Sequence, residues 1–437
     1  MSARPTSYDA HPGLEFRTVA PPAADGVDPH WTAWVQGVQR GFHEARGGEE
    51  HVRRWGDLAR AQDAVCRGAY PEQVLVGDNP LPVATFMSWD QEVNVGDGRM
   101  LPLHMITDVT VAPTHRRQGL LSTLMGEDLR AAADAGLPLA ALTVSEGSIY
   151  GRFGFGVSTR LRKVEVDTGP RFAMHPGAGV EVPGGRLEMV EPADLFPVAE
   201  KVFARVLATT RGAIARPAFY EPILSGAFDF DEQGPNKDSR AVVHVGADGE
   251  PDGYVFFKVK YDDGKAPHVR VGDIQAADPA VWLRLWQFLA GIDLTTSVHC
   301  RDVAVDDPLL HAVADPWLVR TVEQKSLIWL RVLDVEACLT ARPWYADGSV
   351  VLEVTDPLGI AGGTWRLGVE AGRASLGPTD EDSDVTLGVD VLANLYLGDS
   401  RVPTLAAAGR LSASPAARDT FAAMADGGPA PYCTTGF

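Results

Sequence analysis

The sequence predicts an α/β (α+β) protein built of three domains. Its 437 residues exceed what one hydrophobic core usually holds, so two or three domains are expected. A first stretch follows the order helices, strand meander, helix, strand and short helix, and a second stretch repeats this order more weakly. From about Leu327 the pattern changes to short strands flanked by helices, which indicates a third domain.

The first domain is predicted from seven segments that follow a loose tail ending at about Pro12. They are two amphipathic helices, a strand, a strand meander joined by Gly-Asp turns, a helix capped by Gly136, a buried strand, and a short helix that breaks into a glycine-rich turn. In that order the segments are HWTAWVQGVQRGF, EEHVRRWGDLARA, QVLVGD, PVATFMSWDQEVNVGDGRMLPLHMITDVTVAP, LLSTLMGEDLRAAADAG, AALTVS and EGSIYGRFGFG.

The second domain is interpreted as a degenerate copy of the first. Its predicted elements are the strands AVVHV, GYVFFKVK and HVRVGDIQAAD, the helix PAVWLRLWQFLAGI and the strand SVHCRDV. The third domain is predicted as a small sheet flanked by helices, from SLIWLRVLDVEACLTAR, SVVLEV, TWRLGVE, RASLG and VTLGVDVLANLYLG.

The charge balance favours cationic partners. The chain has 39 Lys and Arg against 58 Asp and Glu, a net charge of −19. Such a surface repels phosphate backbones, so nucleic-acid binding is not expected. It would attract cationic small molecules or lysine-rich peptides, although solubility alone is also a sufficient reason for it.

The cysteines and the apolar runs indicate a cytoplasmic protein. Cys66, Cys300, Cys338 and Cys433 have no paired spacing, so neither a disulfide framework nor a metal site is expected. The segment MSARPTSYDA lacks the apolar core of a signal peptide. No apolar run reaches membrane-spanning length, so no membrane association is expected.

The segment VTVAPTHRRQGLLSTLM, residues 109–125, has the composition of an anion-binding loop. Backbone N–H groups and the dipole at a helix N-terminus favour phosphate, and glycine allows close approach. Arg116, Arg117, Gln118 and Gly119 stand directly before the predicted helix, while the extended DVTVAP could hydrogen-bond an amide-rich ligand as a pseudo-strand. A diphosphate joined to a pantetheine arm has this chemistry, and coenzyme A contains both.

These residues carry a family resemblance. Arg116-x-x-Gly119-x-Leu121 after a strand resembles the acyl-CoA loop of the GNAT acetyltransferases, although that family usually has Gly or Ala where Leu121 stands. Together with SEGSIYGRFGFG, the segment VTVAPTHRRQGLL resembles the Eis-type aminoglycoside N-acetyltransferases of actinobacteria. The resemblance implies two tandem GNAT-like domains, residues 1–165 and the degenerate 166–325, and a C-terminal sterol-carrier-like α/β domain, residues 326–437.

The resemblance implies acetyl-CoA as co-substrate and places its contacts. Val109 and Val111 are expected to bond the pantetheine through their main chain, with Thr110 between them. The diphosphate is expected to lie against Arg117, Gln118, Gly119, Leu120, Leu121 and Ser122. Ser145 and Glu146 are expected to close the site near the thioester.

The resemblance also implies the catalytic groups. Tyr150 follows the strand AALTVS, where a GNAT sheet splays beside the cofactor, and a neutral phenol can donate its proton to the departing thiolate. The C-terminal carboxylate of Phe437 is expected to enter the active site and accept the ammonium proton. Phe42 and Glu44, after the first helix, are the expected acceptor contacts.

The predicted function is therefore acetyl transfer from acetyl-CoA to amines of aminoglycosides or other polycations. Lysine side chains of proteins or peptides are the second class of acceptor. A non-catalytic protein that binds an apolar ligand in its sterol-carrier-like domain is the alternative outside enzymology. The resemblance further implies a homohexamer built as a trimer of dimers.

Overall fold

The computed structural model describes residues 7–23, 28–77, 80–178, 182, 185–229, 234–261, 264 and 266–437. The strands of these residues are β1 (Leu14–Val19), β2 (Val65–Pro71), β3 (Ala84–Asn94), β4 (Met100–Val111), β5 (Leu139–Thr143), β6 (Gly156–Val157), β7 (Arg160–Asp167), β8 (Arg186–Val190), β9 (Ser239–Val245), β10 (Pro251–Lys260), β11 (His268–Ala276), β12 (Ser297–Val303), β13 (Val319–Ser326), β14 (Ile328–Val332), β15 (Gly348–Thr355), β16 (Gly363–Glu370), β17 (Arg373–Pro378), β18 (Val385–Gly388) and β19 (Leu411–Ala413).

The α-helices of the same residues are α1 (Pro29–Gly41), α2 (Glu49–Ala61), α3 (Leu120–Asp134), α4 (Phe196–Thr209), α5 (Tyr220–Leu224), α6 (Pro279–Ala290), α7 (Leu309–Ala312), α8 (Val335–Ala341), α9 (Val389–Tyr396), α10 (Val402–Ala407) and α11 (Pro415–Ala425). Several begin at a side-chain cap, as Asp28 does for α1 and Asp278 for α6. In both, proline follows the cap, where its missing N–H removes no helical hydrogen bond.

The described strands form three sheets. The first has the order β1-β2-β3-β4-β5-β14-β6, the second β13-β7-β12-β11-β10-β9-β8, and the third β17-β16-β15-β18-β19. In the first sheet, β1 to β4 form an antiparallel meander, and α3 crosses one face so that β5 returns parallel to β4. Leu124 and Met125 of α3 are buried against that face, while Trp31 and Trp34 of α1 are buried in the core that includes the other face.

The first sheet opens where β4 and β5 end. Their parallel register covers only Leu103 to Ile106 against Leu139 to Leu142, although β4 continues to Val111. The β3–β4 register shifts between Thr85 and Met87, which places a β-bulge in β4 at this point. The two strands therefore separate along the last residues of β4. On that side, these residues of β4 border a gap where β5 no longer pairs with them.

The second sheet repeats the order of the first. Helices α4 and α5 precede the antiparallel strands β9, β10 and β11, and α6 returns the chain to β12, which lies parallel to β11. This agrees with the predicted duplication. The residues between β11 and α6 are Ala277 and Asp278, so no arginine-glycine loop stands there.

The third sheet belongs to the C-terminal part of the chain. Strands β15, β16 and β17 are antiparallel neighbours, and β18 joins β15 in parallel. Leu352 and Leu387 of this sheet share one buried cluster with Leu103 of the first sheet and with Trp34 of α1, which packs on it. The third sheet and its helices are therefore packed against the first sheet as part of the same core.

Two strand exchanges interlock the sheets at the predicted domain boundaries of 165/166 and 325/326. Strand β7 lies in the second sheet between β12 and β13, although β6, just before it, belongs to the first. Strand β14, predicted within the third domain, lies in the first sheet between β5 and β6. The boundaries stay predictions: 165/166 falls inside β7, and 325/326 falls at the end of β13, just before the chain passes from the second sheet to β14 of the first.

Two local expectations are wrong. In the described part of QVLVGD, residues 73–77, there is no strand, and Leu75 is 99% exposed. The strand lies earlier, at β2. Arg67 interrupts the apolar pattern of β2 because its side chain pairs with the buried carboxyl group of Asp128 on α3. The tail is not loose over residues 7–12, because the Tyr8 ring stacks on Phe16 and buried His11 lies 2.8 Å from the Thr123 hydroxyl.

Candidate active site

The loop between β4 and α3 presents polar groups at an uncapped helix end. Arg116, Arg117 and Gln118 are exposed, and no side chain caps the first turn of α3. Arg117 has φ +64° and Gly119 has φ +92°, so both adopt the left-handed conformation that turns the chain into the helix. The first N–H groups of a helix have no intrahelical partner, so this end suits an anionic group.

The other predicted cofactor contacts follow the same two elements. Leu120 is buried, whereas Leu121 and Ser122 are half-buried in the first turn of α3. Val109 and Val111 are half-buried on β4 beyond its pairing with β5, and buried Thr110 bonds instead to Thr85 of β3 at 2.7 Å. The valines therefore lie on the part of β4 that has separated from β5, and the Thr110 side chain lies against α1 beside Gly41.

The segment after β5 carries Tyr150. Its side chain is 7% exposed and packs edge-on against Phe155, with ring centroids 6.2 Å apart. Burial raises the pKa of the Tyr150 phenol, so the hydroxyl is neutral at pH 7 and is a proton donor. Ser145 and Glu146, in the same segment, are exposed.

The chain terminus lies at the end of β5. The Thr143 hydroxyl donates a hydrogen bond to an oxygen of the Phe437 carboxyl group at 2.7 Å. The Phe437 ring packs edge-on against Trp89 of β3 at 5.8 Å. Phe437 therefore lies beside the place where β4 and β5 separate, and its role in an active site stays a prediction from the sequence.

Tyr220 fixes the last residues. Its hydroxyl donates to the Thr434 carbonyl at 3.1 Å and accepts from the Gly436 N–H at 2.9 Å. Arg216 lies over the Tyr220 ring and forms a bidentate pair with half-buried Asp273, at 2.7 and 2.9 Å. Asp273 holds the pKa of Arg216 above its ordinary value, and Arg216 lowers that of Asp273, so the pair stays charged.

A cavity of about 610 Å³ lies beside the end of β4 and the chain terminus. Its wall includes Thr107 and Asp108 at the β4 bulge, and Phe437 at the chain terminus. Aromatic side chains cover much of the rest, from α2, β3, α5 and its flanks: Trp55, Trp89, Phe219, Tyr220 and Phe228. The cavity therefore lies between the first and second sheets, against the end of β4.

The cavity does not include all the predicted site residues. Among the described residues that line it, the only predicted site residue is Phe437. The predicted site residues that do not line it are Val109, Thr110, Val111, Arg117, Gln118, Gly119, Leu120, Leu121, Ser122, Ser145, Glu146, Tyr150, Phe42 and Glu44. Phe42 is 43% exposed at the end of α1. Glu44 acts electrostatically on Asp108 and on His51, both of which line the cavity, so it lies close behind the wall.

Sequence reasoning missed two buried carboxyl groups of this cavity. Burial, with the charge of Glu44, raises the pKa of Asp108 to about 7. Burial, with the charge of Asp273, raises the pKa of Asp302 to about 6. The signal available in the sequence was an aspartate inside the apolar run MITDVTV, where a strand packed on both faces has no place for a charge unless it lines a site.

Two kinds of feature are absent from the described residues. No group of three or more His, Cys, Asp and Glu side chains there could hold a metal ion. No helix in that part of the chain is long and apolar enough to cross a membrane.

Comparison with known domains divides the chain in three. Residues 28–158 match a model described as acetyltransferase (GNAT) domain, and residues 212–332 match a second model of that description. Residues 335–434 match a sterol carrier protein domain. The predicted fold class, two tandem GNAT-like domains followed by a sterol-carrier-like domain, is confirmed.

Relatives and solved structures match nearly the whole length. The chain is 35% identical to N-acetyltransferase Eis of Mycobacterium tuberculosis over 374 residues, 83% of this chain and 86% of that protein. It is 34% identical to an uncharacterized N-acetyltransferase of Streptomyces avermitilis over 414 residues, 94% of this chain and 93% of that one. The crystal structure of Eis1 from Mycobacterium abscessus superposes with a TM-score of 0.78 at 25% identity, covering 97% of this chain and all of that one.

Proposed function

Because the chain belongs to the Eis-type N-acetyltransferases of the GNAT family, we propose that it transfers acetyl from acetyl-CoA to an amine of a cationic acceptor. The observation that carries this proposal is the cavity that joins the end of β4 to the chain terminus. There a group held along β4 and an amine in the cavity would meet beside a carboxylate.

The residues around the loop fit acetyl-CoA, which supplies an acetyl thioester when bound. Arg117 and the uncapped N–H groups of α3 would hold the diphosphate, since charge-assisted hydrogen bonds are the stronger ones. Val109 and Val111 would pair with the pantetheine amides, because β4 has left its register with β5 at that point. Gly119 would let the diphosphate approach the backbone.

Tyr150 is proposed as the general acid. Its phenol is neutral at pH 7, and a positioned acid that gives a proton to a departing thiolate removes the charge that would drive the reverse reaction. Tyr150 is buried within the segment that follows β5, and this position supports the role.

The terminal carboxyl group of Phe437 is proposed to meet the acceptor ammonium ion and, by the family resemblance, to accept its proton. Its hydrogen bond to Thr143 and the anchoring of Gly436 by Tyr220 support this role, because they hold the carboxyl group at one place in the cavity wall.

Aminoglycosides are the first proposed acceptors. The carboxyl groups of Asp108, Asp302 and Phe437 lie among aromatic faces in the cavity, and both kinds of group attract an ammonium ion. Lysine side chains of proteins or peptides are the second class, since they offer the same ammonium group. A homohexamer and a cytoplasmic location stay predictions from the sequence.

Release of thiol from acetyl-CoA tests this function. With kanamycin or neomycin present, we expect amine-dependent release, measured with a thiol reagent, and mass spectrometry of the acceptor should show added acetyl groups. A peptide containing lysine, in a parallel assay, separates the two acceptor classes. If no amine in a broad panel promotes release, the acetyltransferase proposal fails and binding of an apolar ligand becomes the better interpretation.

A further inference from the structure

Asp108 occupies an unusual place in β4. It has φ +52°, in the left-handed region, at the bulge where the β3–β4 register shifts. Aspartate tolerates this conformation better than most residues, but a strand interior rarely needs it. The bulge turns the side chain out of the regular alternation of the strand, and Asp108 lines the cavity one residue before Val109.

Asp108 is buried among ionisable side chains. The residue is 8% exposed and shares the cavity wall with the Trp55 side chain. On its own side of the cavity the neighbouring ionisable groups are Glu44, His51, Arg54 and Cys66. Across the cavity they are Asp273, Arg301, Asp302 and the terminal carboxyl group of Phe437.

These surroundings suit proton transfer near neutral pH. Burial is the largest cause that raises the pKa of Asp108, to about 7, and the charge of Glu44 acts in the same direction. An α-carboxyl group ordinarily has a pKa of about 3.3–3.7, so an ionised terminus holds an ammonium ion but takes its proton poorly. A base with a pKa near the working pH takes that proton far more readily.

We propose that Asp108 accepts the proton of the acceptor ammonium ion, while the ionised terminus of Phe437 holds the positive charge beside it. This inference rests on the proposed function and changes one assignment within it. The ammonium N–H bond breaks, its electron pair stays on nitrogen, and the Asp108 carboxylate becomes a carboxylic acid. The neutral amine forms the C–N bond as the C–S bond breaks.

The remaining protons balance. The sulfur leaving group takes the Tyr150 proton, and the second proton lost by nitrogen as the amide forms restores Tyr150. Asp108 then gives its proton to solvent, so one proton is released for each acetyl group transferred.

The test is the pH profile of Asp108→Asn. Asparagine matches the protonated acid in shape and accepts a positive φ, so the variant should fold. Below pH 7 wild-type Asp108 is protonated and cannot act as a base, so wild-type kcat/KM should rise with pH through about 7. In the variant we expect kcat to fall by about 10²- to 10⁴-fold, and that rise to disappear. The Kd for acetyl-CoA, measured by calorimetry, should stay within about 3-fold of the wild-type value, because Asp108 is not a proposed contact of the cofactor.

Asp63→Asn is the matched control. Asp63 is also an aspartate at positive φ, +49°, but it is exposed after α2 and does not line the cavity. It should keep the wild-type rate and profile. If Asp108→Asn keeps the rise near pH 7 with kcat near wild type, the assignment of Asp108 is overturned while the proposed function stands. If wild-type protein itself shows no amine-dependent thiol release, the proposed function fails and the assignment fails with it.

Discussion

At the residue scale, two of the seven non-glycine residues with positive φ in the described part of the chain lie near the end of β4. Asp108 and Arg117, together with Gly119, adopt the left-handed conformation within twelve residues. At Asp108 the conformation aims a carboxyl group into the cavity, and at Arg117 and Gly119 it turns the chain into α3. Backbone strain of this kind persists where the surrounding structure enforces it, often at functional sites.

Arg117→Glu should weaken the binding of acetyl-CoA. The substitution replaces a charge-assisted hydrogen bond, worth about 1.5–3 kcal/mol, by repulsion from the diphosphate, so affinity should fall by at least about 10-fold. Arg117→Gln places an uncharged side chain at the same positive φ, so its affinity for acetyl-CoA should lie between those of wild type and Arg117→Glu. Calorimetric titration with acetyl-CoA measures all three proteins.

Arg418→Glu is the control for this charge reversal, because the Arg418 side chain lies partly exposed on α11 and bonds to neighbouring Asp419. It should bind acetyl-CoA as wild type does. Equal affinity in the Arg117→Glu protein would remove the loop from the cofactor site.

The residues of the site differ in how far the sequence could predict them. The loop from Arg116 to Gly119 is local, so its chemistry can be deduced from consecutive letters. Tyr220 and Arg216 act on the terminus from 216 and 218 positions away, and only the packing of the second sheet against the tail brings them there. Asp108 carries a local signal, but its role depends on a bulge that periodicity does not indicate.

At the element scale, close contacts lock the C-terminal part onto the first sheet. Gly156 of β6 lies so close to α9 that a Cβ atom there would be 2.0 Å from the Asp390 carbonyl oxygen. The ion pair of Arg331 on β14 with Asp356 is fully buried, at 2.6 Å. Removing one partner of such a pair is costly because the other charge is left buried, without a counter-ion or water around it.

Gly156→Ala should therefore destabilise the protein. Overpacking of a tight contact costs about 1–3 kcal/mol, and here backbone, not a flexible side chain, would have to move. The midpoint of thermal unfolding should fall. Gly151→Ala is the control, since a Cβ at Gly151 meets nothing within 4 Å and its φ is not positive. Equal midpoints for the two variants would contradict the contact between β6 and α9.

Hydrophobic periodicity predicts the order of helices and strands along the chain, but not which strands pair. Strands β9, β10, β11 and β12 and helix α6 lie where the pattern predicts them. The segment of β14 has an apolar pattern that predicts a strand, but it pairs with β5, almost 190 positions earlier, as Trp329 opposite Leu142 illustrates. Such partners depend on which sheet has an open edge, and a single sequence contains no record of that.

At the scale of the whole molecule, the three parts converge on one site. The resemblance deduced from residues 109–156 is confirmed by relatives that match most of the chain, and so is the activity of an N-acetyltransferase. The first sheet supplies the gap between β4 and β5, α5 and β12 of the second GNAT-like domain supply Tyr220 and Asp302, and the C-terminal part returns Phe437 to the cavity between them. This arrangement gives a reason for a long chain in which only one GNAT-like domain keeps the loop.

The most direct test of this account is a chain extended by a few residues beyond Phe437. The extension would move the terminal carboxylate away from Thr143 and push polar backbone into the cavity, while the loop before α3 stays intact. We expect amine-dependent thiol release to fall at least about 100-fold, the scale of one lost catalytic group. Calorimetric affinity for acetyl-CoA should match that of a control with the same residues added at the amino end. Full turnover in the chain extended beyond Phe437 would contradict the account.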